Sequence, residues 1–391
     1  MSPTPVTFAS PTKPASWSWE ATSGEVAARY GVPIEQVVRF DQNTAPAPPD
    51  LVQAILAAGG FEVPISEYPP SDYGRLIDAA AARYGVAREE LLVGAGADEL
   101  LEMVTKAFIP PGGSAIVPVP TYPMYGILTE QRTGRVTRVP RRSAAESFAL
   151  DVDAVRAAAA EPDVGGVLAS LVWLCSPNNP TGRAEPPGVI AALLDGLAAD
   201  AAAAGRPAPV VIVDEAYIEF AGDSVAPLRA SYPRLVVLRT LSKAYGIAGL
   251  RVGFAIANED LIGEIALYRP PGSVSIVSVE VGTALLREDS IASDRVALVA
   301  AERDRFSAGL AAAGWFPLPS TTNFLLVAFD SPAAAGAAAE RLLSRGLIPR
   351  TFAEGHPLAY CLRLTVRNQE QDDRLIEAAR EISSDGVSAP R

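Results

Sequence analysis

VVIVDEAYIEF, residues 210–220, begins with four β-branched residues in a row and then turns acidic at Asp214 and Glu215. A strand that is apolar along its whole length is covered on both faces, which is the habit of parallel sheets flanked by helices. Runs of the same kind stand at SAIVPV (114–119), GVLASLVWLC (166–175), LVVLRTLS (235–242) and RVGFAIA (251–257). Between them lie stretches with helical spacing, at 73–84, 98–108 and 187–204. The alternation predicts an α/β fold with a doubly wound, mostly parallel central sheet and helices on both faces. Sheets of that kind bind ligands beyond the carboxyl ends of their strands.

Outward from this centre the pattern changes. Residues 23–39 have helical spacing, a Pro-rich TAPAPPD segment breaks it, and a second helical stretch covers 51–58. After about Ser290 a long Ala- and Arg-rich helical stretch runs to Ala313, followed by three strand-like runs, TNFLLVAF, GLIPR and AYCLRLTV. This predicts a second, smaller α+β domain. A chain of 391 residues exceeds one ordinary core, so two domains are expected. The division reads as an N-terminal arm over 1–20, rich in Pro, Ser and Thr, then a lead-in segment over 21–67 that contributes to the small domain. A large domain over 68–289 and a C-terminal small domain over 290–391 complete it.

Composition excludes several classes of function. With 49% apolar and 20% charged residues the chain is an ordinary folding sequence. Its net charge of −12 repels phosphate backbones and anionic lipid over most of the surface, against a nucleic-acid or membrane partner. No run approaches the ~18 apolar residues of a membrane span, and the first residues lack the order of a signal peptide, so a cytoplasmic protein is expected. Two cysteines, Cys175 and Cys361, and one histidine, His356, leave too few ligands for a metal site and no material for a histidine-based triad. Only three of the 33 basic residues are lysines, Lys13, Lys106 and Lys243, so amine chemistry has few carriers.

Three motifs bring unlike groups to the same end of adjacent strands. CSPNNPTG (175–182) stops a strand at a Pro, Asn and Gly cluster that must turn. VVIVDEAYIEF places Asp214 at the end of an apolar strand, where a carboxylate needs a cation. RTLSKAYGIAGLRVGF (239–254) puts Lys243 just after another strand, with Ser242 beside it and Arg251 beyond. Each motif alone has an ordinary structural reading, as a turn, a surfacing charge or a loop lysine. Together they match what pyridoxal phosphate requires: an amine to bond its aldehyde, a carboxylate for its ring nitrogen, donors to its phenolic oxygen and a cradle for its phosphate. Lys243, Asp214, Asn179 with Tyr217, and Ser242 with Arg251 fill these roles in order. GAGADELL (94–101) opens a predicted helix, and its free amides at Ala97 and Asp98 favour an anion.

With these motifs, PTYPMY (120–125) and CLRLTV (361–366) added, the chain resembles the fold type I pyridoxal-phosphate-dependent aminotransferases, and among them is most similar to the histidinol-phosphate aminotransferases. The resemblance covers roughly residues 40–370. It implies that Lys243 bonds the cofactor and shuttles the substrate's proton, that Asp214 faces the ring nitrogen and that Tyr122 stacks on the ring. It also implies that Arg363 grips the substrate's carboxylate or equivalent anion, that Arg350 helps receive a substrate phosphate, and that Tyr68 reaches the neighbouring subunit's cofactor phosphate in a homodimer with shared sites. The implied reaction is ping-pong transfer from L-histidinol phosphate, a small-molecule amino donor, to 2-oxoglutarate, giving imidazole-acetol phosphate and glutamate. Alternatives are an aromatic or other amino-acid aminotransferase and a threonine-phosphate decarboxylase of the same fold. A cofactor-sensing regulator is disfavoured, since no basic DNA-binding segment is present.

The chain departs from the family at two places. DQNTAPAPP (41–49) stands where many relatives carry an Asn-Glu-Asn-Pro-Tyr-Gly type stretch that covers the substrate. Arg367 stands where a small glycine is usual, and is expected to point to solvent, the alternative being added positive charge near the substrate entrance.

Overall fold

The computed structural model describes residues 20–59 and 61–384. In chain order its strands are β1 (Val38–Arg39), β2 (Leu91–Gly94), β3 (Ser114–Val119), β4 (Arg135–Pro140), β5 (Ala169–Cys175) and β6 (Val210–Asp214). They continue as β7 (Leu235–Thr240), β8 (Gly253–Ile256), β9 (Phe316–Pro317), β10 (Phe324–Ala328), β11 (Leu347–Ile348) and β12 (Cys361–Thr365). Seven of them form one sheet in the order β2-β8-β7-β6-β5-β3-β4. All neighbours are parallel except β8, which runs against both β7 and β2. That reversal places the amino end of β8 beside the carboxyl ends of the others.

The two faces of the sheet are packed separately, as alternation along a strand requires. Val211 and Val213 of β6 join Val237, Phe254 and the helix Gly74–Tyr84 on one side, while Val210 and Ile212 join Trp173, Val236 and the helix Gly96–Phe108 on the other. A smaller antiparallel sheet, β12-β10-β9, packs with the helices Asp289–Ala312, Pro332–Leu343 and Gln369–Ser384 around Phe306, Trp315 and Leu325. Val38 and Phe40 belong to that second core.

Three expectations about elements are corrected. The helix over 23–39 ends at Tyr30, because Gly31 caps it in the left-handed conformation (φ +68°) and Pro33 follows. Val38 and Arg39 instead form β1, paired in parallel with β11. Two sheet-edge strands were missing from the five apolar runs. β2 is only four residues long, and β4, RVTRVP, carries two arginines and a largely half-exposed face. RVGFAIA is a strand, but an antiparallel one. Apart from Glu20, the arm over 1–20 lies outside the described residues.

Candidate active site

The ends of β5, β6 and β7, the amino end of β8 and the turn after β2 converge on a cavity of about 450 Å³. Ala97, Asp98, Tyr122, Asn179, Asp214, Tyr217, Ser242, Lys243, Arg251, Arg350 and Arg363 all line it. Of the expected site residues Tyr68 alone stands elsewhere, 91% exposed and close to the turn at Gly272.

One corner is built for an anion. Gly96, with φ +78°, turns the chain from β2 into the helix Gly96–Phe108. A Cβ at Gly96 would lie 2.4 Å from Arg251 Nη2, so only glycine lets the guanidinium approach the helix N-terminus. Arg251, itself at φ +53°, also donates from Nη2 to Asp98 Oδ2 at 3.2 Å and from Nη1 to Ala248 O at 3.2 Å. Ser242 is buried alongside, its N–H donating to Thr240 Oγ1 at 3.2 Å and its hydroxyl accepting from it at 2.9 Å. The Asp98 carboxylate seated on Arg251 also accepts from Tyr122 Oη at 3.1 Å.

Asp214 is the last residue of β6. Its carboxylate accepts from Tyr125 Oη at 2.7 Å and from Ala216 N at 3.0 Å. Burial nevertheless raises its pKa to about 6, against the lowering effect of those two donors. A cationic ring nitrogen is the partner this carboxylate calls for. Lys243 is half-buried on the loop after β7, with Nζ 3.5 Å from Gln42 O and 5.5 Å from the Tyr217 ring centroid. Burial lowers its pKa to about 8. Arg363 and Arg251 act in the same direction, opposed by Asp98 and Asp214. The amine is thus held close to its nucleophilic, neutral form.

The third wall carries the arginines. Arg363 on β12 is buried; Nη1 donates to Asn179 Oδ1 at 2.7 Å, Nη2 donates to Asp41 O, and the guanidinium lies 5.4 Å from the Phe324 ring centroid. Burial lowers its pKa to about 10, with Tyr217 opposing and Arg350 reinforcing that shift. Arg350 and Arg363 exchange both backbone hydrogen bonds, at 3.0 Å each, and so stand side by side. Arg350 Nη1 is 3.6 Å from Glu20 Oε1, which also accepts from the Thr351 N–H and hydroxyl at 2.9 Å each. The Tyr217 hydroxyl accepts from Asn43 Nδ2 at 3.0 Å.

Four groups at the site were not anticipated. Tyr125 stacks on Trp173 (5.3 Å, 12°) and holds Asp214. The signal was present in PTYPMY, whose two tyrosines three residues apart share a face at the start of the helix Met124–Gln131. Asn43 sits at φ +53°, a conformation that asparagine tolerates, inside the Pro-rich DQNTAPAPP segment. Glu20 and Gln42 carried no signal. Arg367 is a correction: it is half-buried and tied to the protein instead of pointing to solvent. Its Nη1 donates to Thr44 O at 2.9 Å and its Nε to Gln371 Oε1 at 3.1 Å.

These donors fit pyridoxal 5′-phosphate group by group: a carboxylate for the ring nitrogen, an amine with a lowered pKa, and a glycine-walled cradle in which a carboxylate already sits on arginine. Fold and site together define a pyridoxal-phosphate enzyme of fold type I. The family model for aminotransferases of class I and II matches residues 36–378, and the chain belongs to that family, whose members pass an amino group from a donor to an oxo acid through this cofactor. It is 36% identical to a histidinol-phosphate aminotransferase of Roseiflexus castenholzii over 92% of this chain and 93% of that one. A Pyrococcus furiosus protein of the same name is 34% identical over 88% and 91%. The structure of histidinol-phosphate aminotransferase from Sinorhizobium meliloti in complex with pyridoxal-5′-phosphate superposes with a TM-score of 0.82 at 24% identity, covering 97% of this chain and 99% of that one. Among the described residues no helix is long and apolar enough to cross a membrane, and no cluster of three His, Cys, Asp or Glu could hold a metal.

Proposed function

We propose that this aminotransferase takes its amino group from L-histidinol phosphate and delivers it to 2-oxoglutarate, leaving imidazole-acetol phosphate and glutamate. The observation that carries this reading is the pairing of Arg350 with Arg363 in the cavity that holds Lys243. Two adjacent guanidiniums suit a phosphate dianion on the donor, and Arg363 alone suits the acceptor's carboxylate. The names of the relatives at 34–36% identity agree.

When bound, the cofactor supplies an aldehyde that takes the donor's nitrogen and a ring that draws electrons from its α-carbon. Asp214 keeps the ring nitrogen protonated. Asn179 and Tyr217 bond the phenolic oxygen, Tyr122 covers the ring, and Ser242, Arg251 and the amides of Ala97 and Asp98 hold the phosphate. Lys243 Nζ would take the proton from the donor's α-carbon and hand it to the cofactor's C4′ carbon, and in the acceptor half it would carry the proton the other way.

The exposed Tyr68, with Ile65 and Leu267, supports a homodimer in which Tyr68 completes the partner's phosphate site. We further read residues 1–20 as an arm, 21–67 as a lead-in segment of the small domain, 68–289 as the large domain and 290–391 as the small one. The packing of Val38 and Phe40 with Phe306 supports this division. A cytoplasmic setting accords with the two buried cysteines, both free thiols.

The test is the visible spectrum of the holoenzyme on adding L-histidinol phosphate without an oxo acid. Conversion to the pyridoxamine form is expected. An Arg350→Ala variant should lose about 10- to 100-fold in kcat/KM for the phosphorylated donor, and far less for unphosphorylated amino acids. Equal loss for both, or release of carbon dioxide, would overturn the substrate.

A further inference from the structure

Four consecutive residues, Asp41 to Thr44, line the cavity, and each is tied to a different partner. Asp41 O accepts from Arg363, Gln42 O from Lys243 Nζ, and Asn43 Nδ2 donates to Tyr217 Oη. Asn43 is also held by its N–H to Thr365 Oγ1 at 2.9 Å and its carbonyl from Asn323 Nδ2 at 3.0 Å. At Thr44 the tie is Arg367, whose Nη1 reaches both Thr44 O, at 2.9 Å, and Thr44 Oγ1, at 3.4 Å. Arg367 is itself fixed. Its N–H donates to both oxygens of the fully buried Asp372, at 3.2 and 3.1 Å, and its Nε to Gln371.

We propose that Arg367 is a positioning residue of the active site, which holds the 41–44 wall and, through Asn43, sets how strongly the Tyr217 hydroxyl donates towards the cofactor's phenolic oxygen. The proposal rests on the assignment of Tyr217 to that oxygen. A hydroxyl that accepts a hydrogen bond is a better donor, because each bond polarises the next. If the segment loosens at Thr44, the Asn43 amide loses its alignment and Tyr217 donates less. The phenolic oxygen then holds its proton more tightly.

The experiment compares Arg367→Gly, Arg367→Lys and Asn43→Ala with the parent by three readouts. These are the pH midpoint of the holoenzyme's visible band without substrate, hydrogen exchange of residues 41–47 in cofactor-free and loaded protein, and the KM and kcat of the donor. Asn43→Ala and Arg367→Gly should both raise the midpoint, corresponding to about a three- to tenfold change in proton affinity. The double variant should show no more than Asn43→Ala alone, since the two lie on one path. Arg367→Gly should also quicken exchange over 41–47 and raise KM more than it lowers kcat. Arg367→Lys, which keeps one donor within reach of Thr44 O, should restore part of each effect. If Asn43→Ala moves the midpoint and Arg367→Gly does not, Arg367 has no positioning role. An unmoved midpoint in Asn43→Ala itself would show that Tyr217 does not act on the cofactor, and both statements fall. If Arg367→Gly does not fold, Arg367→Gln gives the same readouts, and unchanged exchange over 41–47 in that variant overturns the proposal.

Discussion

Burial drives both Asp214 and Lys243 towards neutrality, one to a pKa of about 6 and the other to about 8, although the role proposed for Asp214 needs it ionised. Among the described residues Lys243 draws the carboxylate towards its charged form without outweighing burial, so the carboxylate is poised for a further cation. Its folded pKa lies above the unfolded 3.8, so in cofactor-free protein it contributes stability below about pH 4 that is lost as pH rises through 6. Above that range the buried charge costs on the order of 3 kcal/mol. Asp214→Asn keeps an acceptor for Tyr125 and never ionises. Cofactor-free Asp214→Asn should thus match the parent near pH 3.5 and exceed it by about 2–3 kcal/mol near pH 8, measured by denaturant unfolding. Loaded with cofactor, the order should reverse. A difference that stays constant with pH would show that Asp214 is not the group under strain.

At the scale of elements, the anion corner depends on three backbones meeting: the turn after β2, the N-terminus of the helix Gly96–Phe108 and the amino end of β8. Two glycines permit it. A Cβ at Gly253 would stand 2.7 Å from the Gly96 carbonyl carbon, and one at Gly96 would meet Arg251 while forcing alanine to φ +78°. Gly96→Ala should lower stability by about 1–3 kcal/mol and weaken cofactor binding by about tenfold or more, with equilibrium dialysis as the check. Undiminished affinity would remove this corner from the phosphate site. Much of this arrangement was legible in the residues. Lys243 is a scarce group and Asp214 a costly one, each at the end of a largely apolar strand, and the pair drew attention for that reason. Arg367 was misread because arginine is abundant here and nothing local distinguishes one that reaches Thr44, more than 300 positions away. Tyr125 and Asn43 act across the fold, on Asp214 and Tyr217, so spacing could not reveal their partners. The reversal of β8 was hidden for the same reason: an apolar run shows burial on two faces but not direction.

For the molecule as a whole, the position of Tyr68 bears on whether one chain makes a complete site. The cavity has its lysine, carboxylate, arginines and helix terminus from a single chain, yet Tyr68 stands 91% exposed, with Ile65 three residues before it also exposed. An aromatic side chain so placed is free to be covered by another surface, and a second copy sharing a two-fold axis would receive it reciprocally. If each site takes Lys243 from one subunit and Tyr68 from the other, two damaged proteins can repair each other. A Lys243→Ala subunit still offers Tyr68 and a Tyr68→Ala subunit still offers Lys243, so a mixed dimer holds one intact site and one with both defects. Random exchange of equal amounts makes about half the dimers mixed, and about a quarter of all sites should then regain parental kcat/KM. Lys243→Ala alone should be inactive, and Tyr68→Ala alone should bind cofactor about ten times more weakly, as loss of one charge-assisted hydrogen bond implies. The assay is run at limiting cofactor after mild denaturation and joint refolding, with sedimentation confirming the dimer. Activity equal to the average of the two separate proteins would mean that every site is built within one subunit and that Tyr68 serves only the contact between copies.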